Sequence, residues 1–232
     1  MRFMRRVVTF IVGRLFSELP LRLIEVIMYR ALLKKKFVKL RESRRIQKRE
    51  DIWNFVIDTV GASKKILFLE FGVFKGKSIK HFASRMISPD SRLYGFDSFE
   101  GLPEAWGRKP AGGFSTKGAM PASDDSRITF IKGWFQDSLP RLAIQPAEYD
   151  AVIVHLDADL YSSTLFVLSQ LWGRVEVFYA VFDEFANDEA RALYNFSQAF
   201  PCQIDFLAYD DAVNPQRVFC HIRRAGVAPT AS

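Results

Sequence analysis

The stretch Lys65-Ile66-Leu67-Phe68-Leu69-Glu70-Phe71-Gly72-Val73-Phe74-Lys75-Gly76-Lys77-Ser78 decides the fold. Its apolar half has the length and composition of a buried strand, and the acid and two glycines lie where a chain turns from sheet into helix. Glycine there lets backbone approach a ligand closely, and the following helix offers free N–H groups. A dinucleotide loop needs G-x-G-x-x-G, but position 74 is Phe and the glycines are Gly72 and Gly76 alone. The tail Gly76-Lys77-Ser78 mimics a phosphate loop, which has four residues between its glycines where this sequence has three. The missing residue would misplace several of the amides that wrap a phosphate.

Working outward, strand-like runs recur at Lys65–Phe71, Ser91–Gly95, Ile128–Lys132, Ala151–Leu156 and Val175–Val181, with helical patterns at Ser78–Met86, Ser163–Trp172 and Glu189–Phe200. Strand and helix in alternation predict an α/β, doubly wound, mostly parallel sheet. The last two runs, Gln203–Ala208 and Arg217–Ile222, are joined by a polar turn through Asp210, Asp211, Asn214 and Pro215, which predicts an antiparallel hairpin at one sheet edge. Between Ser98 and Asp125 a segment rich in Gly, Pro and Ser carries Trp106, Phe114 and Met120. Loops of this length inside compact domains are functional or disordered, and a substrate-covering loop is the preferred reading.

With 232 residues, 49% of them hydrophobic, the chain can bury one substantial core. A catalytic domain over 51–232 is expected, opening with a short helix, Asp51–Val60, that Gly61 ends. Residues 1–50 form a basic extension, with apolar residues at helical spacing (Val7, Phe10, Ile11, Leu15, then Leu21, Leu23, Ile24, Ile27, Met28, Leu32) and Pro20 separating two helices. Residues 1–51 hold 15 Lys or Arg against 5 Asp or Glu, a net of +10, which leaves −3 for the rest. The basicity therefore belongs to the arm, which argues against a nucleic-acid-binding domain. Such helices serve as a lid, pair two copies, or lie on an anionic membrane surface. The charge-free run Val7–Gly13 is far short of the roughly 20 residues of a membrane span, and no cleavage signal follows it, so a cytoplasmic protein, with peripheral membrane contact as an option, is expected. Cys202 and Cys220, the only cysteines, read as reduced core residues.

The strand ends carry the chemistry. The second ends Tyr94-Gly95-Phe96-Asp97, where a carboxylate can accept hydrogen bonds from both hydroxyls of a ribose; a turn or cap role is the alternative. The third runs into Gly133-Trp134-Phe135-Gln136, where an aromatic ring can cover an adenine face and Gln136 can read its edge, although core packing serves Phe135 equally well. The fourth ends His155-Leu156-Asp157-Ala158-Asp159 and the fifth Phe182-Asp183-Glu184-Phe185. If these strands are neighbours, Asp157, Asp183 and Glu184 converge, and close carboxylates need a neutralising cation, for which Mg²⁺ suits an oxygen-rich set. Glu184 can equally be a solvent-facing helix start. His155, one position deeper, reads as a structural residue.

With these motifs in order, the sequence resembles the macrocin and mycinamicin O-methyltransferases, metal-dependent enzymes that methylate sugar hydroxyls. Its most specific pieces are Leu69-Glu70-Phe71-Gly72-Val73, Tyr94 to Pro103, Lys132 to Phe135 with Asp137-Ser138-Leu139-Pro140, and His155 to Thr164. The resemblance implies a Rossmann-like class I methyltransferase fold: a seven-stranded sheet in the order 3-2-1-4-5-7-6 with strand seven antiparallel. It implies S-adenosylmethionine held by Glu70 (against the cofactor's ammonium), Gly72, Gly76, Ser78, Asp97, Ser98, Gly133, Trp134, Phe135 and Asp157. Gly133–Leu142 is also similar to the adenine-side segment of catechol O-methyltransferase, which implies metal ligands at Asp157, Asp183 and Glu184. Two departures stand out: Glu184 replaces an Asp or Asn, and Leu160 stands where the catechol enzyme has its catalytic lysine.

The implied reaction is in-line methyl transfer from a sulfonium to a hydroxyl oxygen of a small or glycosylated acceptor. Asp159 is the first choice of base and Asp157 the second, with Trp106, Tyr161 and Phe185 as walls of the acceptor pocket. Two other classes compete: a nucleotide hydrolase using the near-miss phosphate loop with Asp157 on Mg²⁺, and a non-catalytic membrane-surface module working through its basic arm.

Overall fold

The computed structural model describes residues 20–226 except Ala212; the run Val7–Gly13 and the first arm helix lie outside the described residues. The elements in order are α1 (Leu21–Lys35), a 3-10 turn (Val38–Glu42), β1 (Arg44–Arg45), α2 (Arg49–Val60), β2 (Ile66–Phe71), α3 (Lys77–Arg85), β3 (Arg92–Asp97) and β4 (Ile128–Lys132). There follow α4 (Phe135–Ser138), β5 (Ala151–Leu156), α5 (Tyr161–Trp172), β6 (Val177–Phe182), a π-helical turn (Phe185–Glu189), α6 (Ala190–Ala199), β7 (Cys202–Tyr209) and β8 (Val218–Arg224). The strands form one sheet in the order β1-β7-β8-β6-β5-β2-β3-β4. Its seven long strands follow the expected order, with β8 antiparallel to both β6 and β7. An eighth strand, the two-residue β1 from the N-terminal segment, pairs parallel with β7 at the edge.

Every residue of β2 is buried, as a central parallel strand covered on both faces demands. Side-chain alternation divides it between two cores. Leu67, Leu69 and Phe71 join a cluster with Val167, Leu168 and Leu171 of α5 and Leu193 and Phe196 of α6. Ile66 and Phe68 join one with Ile52, Trp53 and Val56 of α2 and Ile79 and Phe82 of α3. The described part of the basic extension packs onto the first layer: Tyr29, Leu32, Leu33, Phe37 and Leu40 lie in that cluster, and the Tyr29 hydroxyl donates to the Pro215 carbonyl at 3.0 Å. Cys202 and Cys220 are free, Cys220 fully buried.

The turn between β7 and β8 is held by its own acids. Asp210 Oδ1 accepts from the amides of Asp211, Gln216 and Arg217, and Asp211 Oδ1 from those of Val213 and Asn214. The segment 98–125 is likewise internally tied: the Leu102 amide donates to the Gly113 carbonyl, the Gly112 amide donates to the Leu102 carbonyl, and the amides of Thr116 and Gly118 both donate to the Phe99 carbonyl. Among the described residues no helix is long and apolar enough to cross a membrane.

Candidate active site

The carboxyl ends of β2, β3, β5 and β6 and the 98–125 segment enclose a cavity of about 630 Å³, in the range of cofactor-sized sites. Of the expected site residues, Gly72, Asp97, Ser98, Trp134, Phe135, Asp157, Asp159, Asp183, Glu184 and Trp106 line it. The cover expected of the long segment is visible as Leu102, Pro103, Trp106 and Phe114 in the wall.

Gly72 is required by its surroundings. Its φ is +94°, and a Cβ built there would fall 2.0 Å from the Asp157 carbonyl oxygen, so β2 and β5 can leave the sheet side by side only with a hydrogen at this position. Asp97 fixes the same loop from β3: its Oδ2 accepts from the amides of Val73 and Phe74, each at 2.8 Å, and its Oδ1 from Phe99 at 2.7 Å. Those loop amides are what a phosphate would need, and they already face a carboxylate of the chain itself. Lys77, the expected phosphate lysine, pairs with Glu50 at 2.6 Å. This arrangement disfavours the nucleotide hydrolase.

Several expected residues lie elsewhere. Glu70 does not reach the cavity: it shares the strand face of Ile66 and Phe68, is fully buried, and its Oε1 meets His155 Nδ1 at 2.9 Å. The expected partner of a ligand ammonium is instead half of an internal pair. Burial would lower the His155 imidazolium, but the hydrogen bond and charge of Glu70, with Asp183 and Asp157, leave its pKa raised. Gly76, with φ +72°, starts α3, and Ser78 is buried in its first turn; neither lines the cavity, and nor does Gly133. Phe185 is fully buried against Phe37 and Phe182, because the π-helical turn rolls it into the core. The Tyr161 hydroxyl accepts from Asn195 Nδ2 at 2.8 Å under the Arg191 guanidinium, which holds it away from the cavity wall.

The acidic end of the cavity carries the strongest electrostatics. Asp159 adopts φ +60°, a left-handed conformation that breaks the alternation after β5 and turns its carboxyl toward the cavity. Burial, Glu184 and Asp183 push its pKa up to about 7. Burial and Asp183 likewise raise Asp157, against His155 and Arg49, and burial and Asp183 raise Glu184. Fully buried Glu189 accepts from the Glu184 amide at 3.1 Å.

Between the carboxylates stands a residue that the motifs did not single out. Arg49, the first residue of α2, places Nη2 at 2.9 Å from Asp157 Oδ2 and pairs also with Asp183 Oδ2. Asp183 is flanked on its other side by Arg217 Nε at 3.4 Å. The Mg²⁺ set expected at Asp157, Asp183 and Glu184 is therefore not assembled: among the described residues no group of three His, Cys, Asp or Glu side chains is placed to hold a metal. A hard dication needs several oxygens at about 2 Å, and here guanidinium groups hold the two aspartates. The cofactor-sized part of the cavity does fit S-adenosylmethionine: glycine backbone at Gly72, the Asp97 carboxylate, Trp134 with 38% of its surface exposed, and Gln136.

Residues 122–208 match the family model described as Macrocin-O-methyltransferase (TylF). The chain is similar to the Demethyldecarbamoylnovobiocin O-methyltransferase of Streptomyces niveus, 26% identical over 180 residues, which span 65% of this chain and 67% of that protein. In fold it is similar to CalS11, a calicheamicin methyltransferase, at a TM-score of 0.56 with 20% identity over 94% of this chain and 91% of that one. It is also similar to an O-methyltransferase from Bacillus cereus in complex with SAH, at 0.51 with 13% identity over 86% and 98%. In its 122–208 segment, in its Streptomyces relative and in its fold, this chain is similar to the macrocin-type O-methyltransferases.

Proposed function

We propose that the protein transfers the methyl group of S-adenosylmethionine to a hydroxyl of a sugar-containing or other small-molecule acceptor. The observation that carries this is the meeting, in one cavity, of a glycine-and-carboxylate cradle at Gly72 and Asp97 with a carboxyl, Asp159, whose pKa is about 7. The description of the structural relative CalS11 as a TDP-rhamnose 3'-O-methyltransferase supports a sugar-linked acceptor.

The cofactor, when bound, supplies an activated methyl on a sulfonium leaving group. What remains for the chain is alignment, exclusion of water and removal of one proton. Gly72, Asp97, Trp134 and Phe135 are read as the cofactor side, and Trp106 with the 98–125 segment as the wall that excludes water from the acceptor. Asp159 takes the hydroxyl proton, since a carboxyl titrating near neutrality is half in its basic form at physiological pH. Asp157 and Asp183, held by Arg49, orient the acceptor from below. No step runs through a divalent ion. For the basic extension, the burial of Tyr29, Leu32 and Leu33 favours a place on the sheet over one on a membrane surface.

The test is incubation of the purified chain with S-adenosylmethionine carrying a labelled methyl and a panel of hydroxyl-bearing glycosides, beside calorimetric titration with S-adenosylhomocysteine and ATP. Label in an ether product and binding of S-adenosylhomocysteine alone are expected. Binding of ATP without S-adenosylhomocysteine would return the reading to the nucleotide hydrolase.

A further inference from the structure

Arg49 occupies the position at which a divalent ion was expected. It belongs to α2, on the far side of the sequence from the strand ends it serves: 108 residues separate it from Asp157. A cation at the first residue of a helix runs against the helix dipole. Its placement is therefore set by what it touches: Asp157, Asp183 and the face of Trp53, 4.9 Å away. Burial works against its charge, but Asp183 and Asp157 more than offset that, and its pKa is raised. Asp183, 3% exposed, is further committed to Arg217, which also pairs with Asp210 at 3.0 Å.

We infer that Arg49 is the resident cation of the acceptor end of this cavity, a guanidinium in place of a divalent metal, fixing Asp157 and Asp183 as a positioning residue for metal-independent methyl transfer. The inference rests on the reading of the cavity as a methyl-transfer site. A guanidinium offers directed N–H groups on several sides in one plane, so it can hold two carboxylates with defined geometry. A dication entering the same place would have to expel it and would meet a second guanidinium, Arg217, across Asp183. The N-terminal segment then supplies part of the site itself, and the chain between β1 and β2 is tied to catalysis as well as to the sheet.

The experiment uses Mn²⁺ as probe, read by electron paramagnetic resonance and by calorimetry, on the full chain and on Arg49→Ala, Arg49→Lys and the double variant Arg49→Ala with Asp183→Asn. Titration with S-adenosylhomocysteine runs on each protein. The wild-type chain and Arg49→Lys are expected to show no stoichiometric Mn²⁺ site below about 1 mM, the weak end of protein sites for such ions. Arg49→Ala is expected to gain one site at least about tenfold tighter, a gain of about 1.4 kcal/mol, and the double variant to lose it. A wild-type chain that takes up one Mn²⁺ at tens of micromolar overturns the inference. So does an Arg49→Ala protein that binds S-adenosylhomocysteine normally and gains no Mn²⁺. Loss of S-adenosylhomocysteine binding by the wild-type chain sinks the methyl-transfer reading instead, and the Mn²⁺ result on that chain still decides the cation.

Discussion

Glu70 on β2 and His155 on β5 stand at directly paired register positions, and their side chains meet at 2.9 Å with no surface exposed to solvent. The rings of Trp53, Phe68 and Phe82 surround the imidazole. An acid that the glycine motif suggests for a ligand is thus spent on joining two central strands beneath α2 and α3.

Replacing Glu70 with Ala removes one partner of this buried pair and is expected to cost about 3–5 kcal/mol of stability. Because Glu70 does not line the cavity, affinity for S-adenosylhomocysteine in the folded variant should change by less than about threefold, well under 1 kcal/mol. Denaturant titration and calorimetry measure the two separately. A large loss of affinity at unchanged stability would return Glu70 to the cofactor.

The same pair predicts a pH dependence. The folded-state pKa of His155 is raised, so its contribution to stability is complete below the unfolded value of about 6.5 and is lost as pH rises through the folded-state pKa. Unfolding midpoints of wild type relative to His155→Gln should therefore converge as pH is raised from about 6 into the alkaline range. A difference that grows with pH would contradict the pairing.

For Asp159, the pKa of about 7 predicts that methyl transfer rises with pH through neutrality. In Asp159→Asn the rate should fall by roughly 10²–10⁴-fold, the range for loss of a general base, and the neutral inflection should vanish. Binding of S-adenosylhomocysteine should survive. Steady-state kinetics across pH 5 to 9 tests this, and a variant keeping the wild-type profile would remove Asp159 from the role.

At Gly72, an added Cβ meets the Asp157 carbonyl in a backbone conformation that side chains rarely adopt. Gly72→Ala is expected to lose roughly 3 kcal/mol or more, which lowers the melting midpoint by about 6–12 °C in a domain of this size. Gly173→Ala, where φ is −74° and nothing lies within 4 Å, is the control, and its effect should be under about 1 kcal/mol. Thermal unfolding of both proteins makes the comparison.

Trp134 exposes 38% of its surface at the cavity wall. Its truncation to Ala should leave stability nearly unchanged and weaken S-adenosylhomocysteine by about 1–3 kcal/mol, as for other aromatic–base contacts. Titration calorimetry reads the affinity; an unaltered Kd would move the adenine to another wall.

Much of this was legible in the chain itself. Alternation of apolar runs with helical periods is local, so the order of elements from β2 onward, the polar turn at Asp210 and Asp211, and the glycine loop at Gly72 follow from neighbouring residues. Sequential strands with right-handed crossovers then leave few sheet orders to choose from, and the seven long strands take the expected one. The ends of β3, β5 and β6 supply Asp97, Asp157, Asp159, Asp183 and Glu184 to one cavity for the same reason: parallel strands present their carboxyl ends together.

What neighbouring residues do not encode is which partner a side chain finds across the fold. Glu70 faces His155 because strand parity puts both on the side that α2 and α3 cover, and that choice of side belongs to the packed layers. Phe185 turns inward because a π-helical turn follows β6, a conformation with no mark in the sequence around it. Arg49 reads as one more charge in a basic arm, yet the docking of α2 over the sheet carries it to Asp157 and Asp183. The sequence determined the sheet and the carboxylates at its edge through short-range pattern, whereas the cation that meets those carboxylates was decided by contacts between segments far apart in the chain, which only packing brings together.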